Sequence, residues 1–198
     1  MTDDQELTVS QPADREDGLA QNLYYWLQTL VLAVVSIVLV FSFLGRITRV
    51  EGNSMLQTLH NGDLLVLRSV GYTPKVGDIV VLNKTTDETI SLLGGEAIVK
   101  RVIATEGQTV YIDYASNTLF IDGKPVDEPY LWERMQPRHG PYSGQTPFVV
   151  PEGSVFVMGD NRNESTDSRQ ELLGPVDTGY ILGGVVCILF PLSDIGLL

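Results

Sequence analysis

Leu23 to Leu44 is an almost unbroken apolar run, interrupted only mildly by Gln28, Thr29, Ser36 and Ser42. As a helix its 22 residues would extend roughly 33 Å at ~1.5 Å per residue, enough to cross a hydrocarbon core of ~30 Å. A helix with no polar face fits poorly in the core of a soluble domain. Tyr24, Tyr25 and Trp26 stand at its start, where amphipathic aromatic side chains settle at a membrane interface. A cleavable targeting segment would need a basic leading region, a shorter core and a small-x-small cleavage site. Instead, residues 1–18 carry six acidic residues against the single Arg15, and the apolar run continues into Phe41-Ser42-Phe43-Leu44-Gly45-Arg46. The expected organisation is therefore a disordered acidic tail over residues 1–20, a permanent transmembrane helix over 21–45 and a folded domain over 46–198. Arg46 and Arg49 follow the span and only Arg15 precedes it, so charge bias alone would leave the bulk of the chain on the cytoplasmic side.

Beyond Thr48 the texture changes. Short β-prone runs recur: Leu64 to Leu67, Ile79 to Leu82, Ala97 to Val99, Thr109 to Ile112 and Ser154 to Val157. Turn signals separate them, among them Asn61-Gly62-Asp63, Gly77-Asp78, Glu106-Gly107, Asp122-Gly123 and Pro151-Glu152-Gly153. Many short strands with Gly and Pro punctuation predict a mostly β domain, not alternating strands and helices. Asn117 to Val126 reads as strand, Asp-Gly turn, strand. Tyr180 to Leu198 is apolar but holds two adjacent glycines, Pro191 and Asp194, which fits a core strand followed by a loop better than a second span.

Composition removes several function classes. The formal net charge is −12, which argues against nucleic acid as a partner because phosphate binding needs a basic face. Cys187 is the single cysteine and His60 and His139 are the two histidines, so neither an intrachain disulfide nor a Cys/His zinc site can be assembled. Cys187 lies in the apolar run Ile181 to Phe190 and reads as a small buried hydrophobe.

Three segments could carry chemistry: Gly52 to Leu59, Val99 to Ile103, and Met158 to Arg169. A serine hydroxyl becomes a useful nucleophile only when a neighbouring base takes its proton. Both histidines sit in turn-like polar stretches and read as surface residues, which leaves lysine. Lysine in water titrates near ~10.4, and an apolar pocket lowers that value by disfavouring the charge. Lys100 is flanked by Ala97-Ile98-Val99 and Val102-Ile103, and strand alternation puts Lys100, Ile98 and Val102 on one face. Taken singly, each segment has a plainer reading. The first is a turn, the second a strand lysine that snorkels to water, and the third a charged loop whose Asp167 and Arg169 pair at the surface for ~0–1 kcal/mol.

In this order, after an N-terminal anchor, the segments resemble those of the type I signal peptidases, the Ser–Lys proteases, and the length suits their small Gram-positive type. Gly52 to Leu59 is similar to the family's nucleophile box Ser-Met-x-Pro-Thr-Leu, Gly77 to Val81 to the strand box that follows, and Val99 to Ile103 to the lysine box. Gly159-Asp160-Asn161-Arg162-x-x-Ser165-x-Asp167-Ser168-Arg169 matches the last and most specific box. The resemblance implies that Ser54 is the nucleophile and Lys100 its general base. It further implies that Met55 belongs to the supporting set, that Ser165 hydrogen-bonds and orients Lys100, and that Asp160, Asp167 and Arg169 brace the loop. The sequence departs from the family in three places. Gln57 stands where the family has proline, Gly52 stands where some members place a second oxyanion serine, and Ala104 to Gln108 replaces the usual Gly-Leu-Pro-Gly-Asp.

The implied fold is a signal-peptidase-like β-barrel or sandwich with a small β-hairpin extension at about 105–150, preceded by the one transmembrane helix. The implied protein is a single-pass serine endopeptidase of the cell membrane, a hydrolase with its catalytic domain on the extracytoplasmic face. It would remove signal peptides from preproteins with small residues at positions −1 and −3, with the lipid bilayer as its other partner and no metal or organic cofactor. That topology opposes the bias set by Arg46 and Arg49. The alternatives are an inactive membrane-tethered β-domain that binds partners, a peptidase dedicated to one substrate, and a self-cleaving repressor-type protease. The last would need an N-terminal DNA-binding module in place of the apolar span.

Overall fold

The computed structural model describes residues 14–44, 46–84, 97–131, 133–194 and 196–197. The chain forms two compact units, residues 1–43 and residues 44–198. The first contains a single helix, α1, over Asp14–Leu44. It begins within the segment expected to be a disordered tail over residues 1–20, and residues 1–13 lie outside the described residues. Residues 20–38 of this helix form a candidate membrane span of 19 residues, none of it buried inside the protein. Leu23, Trp26, Leu30, Leu32 and Ile37 are all more than half exposed. These exposed apolar side chains make a surface that lipid solvates better than water does.

The second unit is mostly β. Its strands are β1 (Arg46–Arg49), β2 (Leu64–Arg68), β3 (Ile79–Leu82), β4 (Ile98–Thr105), β5 (Thr109–Asp113), β6 (Thr118–Ile121), β7 (Lys124–Pro125), β8 (Phe148–Val149), β9 (Ser154–Met158), β10 (Val176–Asp177), β11 (Ile181–Phe190) and β12 (Gly196–Leu197). One antiparallel sheet runs β1-β2-β11-β3-β4-β9-β10, with β12 added on β11, and a smaller one runs β7-β6-β5-β8. The expected hairpin is β6–β7. Its Asp122 and Gly123 both have positive φ, 53° and 74°, as the two-residue turn that matches strand twist requires. The terminal apolar stretch contains the expected strand, β11, but part of the expected loop is the two-residue β12, which pairs back onto it. Cys187 is half-buried, not fully buried.

Strand β3 explains why four apolar residues follow one another there. Ile79 and Val81 enter a cluster with Val50, Met55, Leu59 and Val99, whereas Val80 and Leu82 enter one with Val102, Val157 and Leu173. A strand covered on both faces has no polar side to alternate with. The two glycines of β11 are required by crowding. A Cβ at Gly184 would stand 2.4 Å from the Tyr72 ring, and one at Gly183 would stand 2.7 Å from the Arg68 carbonyl oxygen.

The long strand β4 joins the two sheets' cores. Val99 and Val102 pack into the clusters flanking β3, while Ile103 and Ala104 pack with Val110, Ile112 and Phe156 under the small sheet. A register shift against β9 between Val102 and Ala104 is the irregularity that re-aims the strand. Lys100 sits on this strand opposite Val80.

If α1 spans a bilayer, two central charges should expel it, because each acidic residue at a span's centre costs ~2.5–3.5 kcal/mol. The chain is expected to stay in the membrane pellet after alkaline carbonate extraction, and Leu30→Asp with Val34→Asp should release it to the supernatant. A native chain that is freely extracted would exclude the span.

Candidate active site

The turn after β1 is built to hold one hydroxyl still. The Met55 carbonyl accepts from Thr58 N–H and Leu59 N–H at 3.1 and 2.9 Å, and the Met55 and Leu59 side chains are buried in the core. Ser54, at the start of this turn, is half-buried. Its main-chain oxygen accepts from Asn161 N–H at 3.0 Å, and Asn161 Nδ2 donates to the Asn53 carbonyl at 3.1 Å. The turn is thereby tied to the loop that follows β9. Gly159 lies where the two meet, since a Cβ there would fall 2.3 Å from Ser165 Oγ and 2.5 Å from the Ser54 carbonyl oxygen.

Lys100 reaches Ser54 from β4. Its Nζ lies 2.7 Å from Ser54 Oγ and 2.8 Å from the Val99 carbonyl oxygen, to which it donates. The residue is only 3% exposed. Burial pushes the amine down from 10.5 to about 8, against the charges of Asp167 and Asp160, which act to raise it. Uncharged, the amine keeps a lone pair for the Ser54 proton while an N–H still donates to Val99. The Ser54 main-chain N–H has no acceptor among the described residues, which leaves it free to meet a developing oxyanion.

The loop Met158 to Arg169 is the most polar buried region of the domain. Asp160 accepts from Arg101 Nε and Nη2 at 2.8 and 2.7 Å, and from Thr58 Oγ1 at 2.5 Å. Asp167 accepts from Arg169 Nε and Nη2 at 2.9 and 2.8 Å and from Gly159 N–H at 3.2 Å. Burial would raise the Asp167 carboxyl, but Arg169, with hydrogen bonds from Ser165 and the Gly159 N–H, holds the group below the usual range. The plainer reading of the segment taken alone, an exposed Asp167–Arg169 pair, fails here, since both side chains are fully buried. Such a pair depends on both partners, because removing one strands the other's charge and costs ~3–5 kcal/mol.

Ser165 is placed differently from its expected bond. Its Oγ is buried and makes no bond to Lys100, whose nitrogen meets Ser54 and Val99; it faces Asp167 instead, where it helps to hold that carboxyl down. Sequence reasoning passed over Arg101, Thr58, Asn161 and Arg162. All four lie within the boxes; Arg101, a second charge in an apolar strand, was the one with a local signal. Gln57 has φ 82°, a left-handed backbone that proline's fixed φ near −65° cannot adopt. A proline at position 57 would therefore not fit the turn as it stands in this chain.

Among the described residues, His60, Asp63 and Asp194 bring one potential metal-ligating atom each to within 4.8 Å of the others. Asp63 already accepts the His60 N–H at 2.8 Å to close its turn, and both histidines are exposed.

A family described as signal peptidase, peptidase S26, matches residues 23–190. The chain belongs to this family. It is 38% identical over 192 residues to a signal peptidase I of Bacillus licheniformis, covering 92% of this chain and 96% of that one. It is 36% identical over 202 residues to a signal peptidase I of Bacillus amyloliquefaciens, covering 98% and 97%. A signal peptidase IB of Staphylococcus aureus is 31% identical over 193 residues, covering 89% and 94%. A crystal structure of a signal peptidase I from Enterococcus faecalis aligns at 30% identity with a TM-score of 0.42, covering 57% of this chain and 97% of that one. As a signal peptidase the chain is a hydrolase, a serine endopeptidase that removes signal peptides, and an inactive tethered β-domain is not the favoured reading.

Two outcomes follow for stability. The Lys100 pKa of about 8 lies below its ordinary 10.5, so the unfolded chain binds more protons between those values and stability rises with pH across that window. Below pH 8 the full penalty applies, roughly 3 kcal/mol at ~1.36 kcal/mol per pH unit. Lys100→Met should therefore unfold at a higher temperature than the native chain at pH 6, with the gap narrowing towards pH 10. A gap independent of pH would show that the amine is not held uncharged. Separately, Gln57→Gly should stabilise the fold by about 1 kcal/mol and Gln57→Pro should destabilise it by more, as read by thermal unfolding.

Proposed function

We propose that Ser54 and Lys100 remove signal peptides from exported preproteins by acyl transfer. The single observation behind this reading is the buried amine 2.7 Å from the Ser54 hydroxyl. Uncharged Lys100 takes the Ser54 proton as Oγ attacks the scissile carbonyl carbon. The oxyanion is met by the Ser54 main-chain N–H. The intermediate collapses, the C–N bond breaks, and Lys100 returns its proton to the leaving amine, leaving an ester on Ser54. A water molecule, its proton taken by the same lysine, then hydrolyses the ester and frees the serine. Asp160, Asp167 and Arg169 brace the loop around the pair, and Met55 anchors the turn that carries the nucleophile. Ser165 orients Lys100 during the cycle from its buried place against Gly159, where the loop meets the turn that carries Ser54. No metal or organic cofactor enters these steps.

The substrate binds as an extended strand beside a sheet edge, and shallow pockets select small residues at positions −1 and −3. Helix α1 holds the enzyme in the cell membrane as a single span, with the catalytic domain on the extracytoplasmic face. Exported preproteins present their cleavage sites there, a demand that outweighs the weak opposing bias of two arginines. Anchoring also raises the effective concentration of a substrate that is itself held in the bilayer.

The purified full chain in detergent or vesicles should cleave a preprotein bearing an Ala-x-Ala site. Ser54→Ala and Lys100→Ala should each lower kcat by at least about 10³-fold without unfolding the domain, and Ser54→Ala should also lose covalent labelling by an acylating inhibitor. The rate should fall as pH drops through about 8, because only the uncharged amine accepts a proton. A Lys100→Ala enzyme with near-normal turnover would overturn the base assignment, and labelling that survives Ser54→Ala would overturn the nucleophile.

A further inference from the structure

Two guanidinium groups beside the reacting pair are held by one segment outside the recognised boxes. Residues 126–131 leave the small sheet after β7 and lie against the loop that follows β9. Arg162 donates to Glu128 through both Nη atoms, with Nη1 to Oε2 at 3.0 Å. The two side chains are 1% and 5% exposed. The same Arg162 donates from Nε to the Gly159 carbonyl at 3.1 Å. Tyr130 donates its hydroxyl to Glu128 Oε1 at 2.8 Å, and its ring packs against Arg101, whose guanidinium carbon is 4.2 Å from the ring centroid. The Arg162 guanidinium carbon is 5.9 Å from the same ring. Arg101 is the strand neighbour of Lys100, and it grips Asp160, which in turn holds Thr58 of the nucleophile turn.

The contacts form two converging paths. One runs from the Tyr130 ring through Arg101 and Asp160 to the turn carrying Ser54. The other runs from Glu128 through Arg162 to Gly159, where the Ser54 carbonyl and Ser165 crowd together. Asp160 and Arg162 are buried and Thr58, Arg101, Glu128 and Tyr130 are half-buried, so water replaces a lost partner poorly and each group is held near its place. A cation against an aromatic face is likewise held in the plane the ring sets.

We infer that Tyr130 and Glu128 are positioning residues of the cleavage reaction, a clamp that sets the Lys100-to-Ser54 approach through Arg101 and Arg162. The inference rests on the assignment of Lys100 and Ser54 as base and nucleophile. Neither clamp residue needs to touch substrate. Their loss is therefore felt in kcat, while substrate binding is largely unaffected. Proton transfer demands a short, aligned contact, and a misplacement of about 1 Å can cost up to about a hundredfold in rate.

The test uses the full chain and a preprotein substrate, with kcat and KM measured separately and folding followed by thermal unfolding. Tyr130→Leu keeps apolar bulk but removes the aromatic face and the hydroxyl. It should lower kcat by between about ten- and a hundredfold with KM within about twofold of native. Tyr130→Phe restores the face over Arg101 and should recover turnover to within about threefold of native. Glu128→Gln, which leaves the Arg162 charge without its counter-ion, should lower kcat with KM again steady. The clamp is overturned if folded Tyr130→Leu turns over normally, if its deficit lies in KM, or if Tyr130→Phe is as impaired as Tyr130→Leu. Should Tyr130→Leu fail to fold, Tyr130→Phe and Glu128→Gln decide by the same split. A Lys100→Ala control separates the two ideas. If it is inactive while Tyr130→Leu is normal, only the clamp fails, whereas an active Lys100→Ala removes the assignment on which the clamp rests.

Discussion

The structure depends on keeping one lysine amine out of water. Lys100 lies on a strand whose neighbours are buried on both faces, and only Ser54 Oγ and the Val99 carbonyl meet its nitrogen. A charged amine in that position is penalised by lost hydration, and an uncharged amine can accept a proton. The burial that costs the domain stability thus also favours the protonation state that the proposed chemistry needs.

That burial is secured by charges placed around the amine. Three carboxylate–guanidinium pairs, Asp160–Arg101, Asp167–Arg169 and Glu128–Arg162, lie mostly or wholly out of water. Pairs of this kind add little net stability compared with apolar packing, but they tolerate few alternative geometries because each partner strands the other if it moves. Here they hold a loop that has no regular secondary structure of its own. Helices and strands hold their residues through main-chain hydrogen bonds, whereas Met158 to Arg169 is held largely by its side chains, which explains why so many polar residues there are buried. Gly159 is the complementary requirement, since any side chain would separate the loop from the nucleophile turn.

Much of this was legible in the chain, and the failures have physical causes. The β-rich domain followed from period and turn chemistry, and the Asp122-Gly123 turn was readable because both residues adopt positive φ there. The burial of Asp167 and Arg169 was not readable, because two oppositely charged residues two apart look the same on a surface loop and in a core. Ser165 does not make its expected bond to Lys100, whose nitrogen meets the strand carbonyl and Ser54, a matter of side-chain placement that residue type does not fix. Glu128 and Tyr130 gave no local signal at all, because their partners lie more than 25 residues away in sequence.

What the sequence determined by itself was the set of elements: an apolar helix with no polar face, short β-prone runs between turn signals, and three segments whose residue types admit a serine nucleophile and a lysine base. Those properties are local, carried by hydropathy, backbone preference and residue chemistry within a few positions. Tertiary structure alone decided that Lys100 and Ser54 meet, that the amine is dry, and that arginines from strand β4 and the loop after β9 brace them. A pKa, a reacting distance and a desolvated ion pair are properties of neighbours in space, and those neighbours exist only once strands distant in sequence have paired.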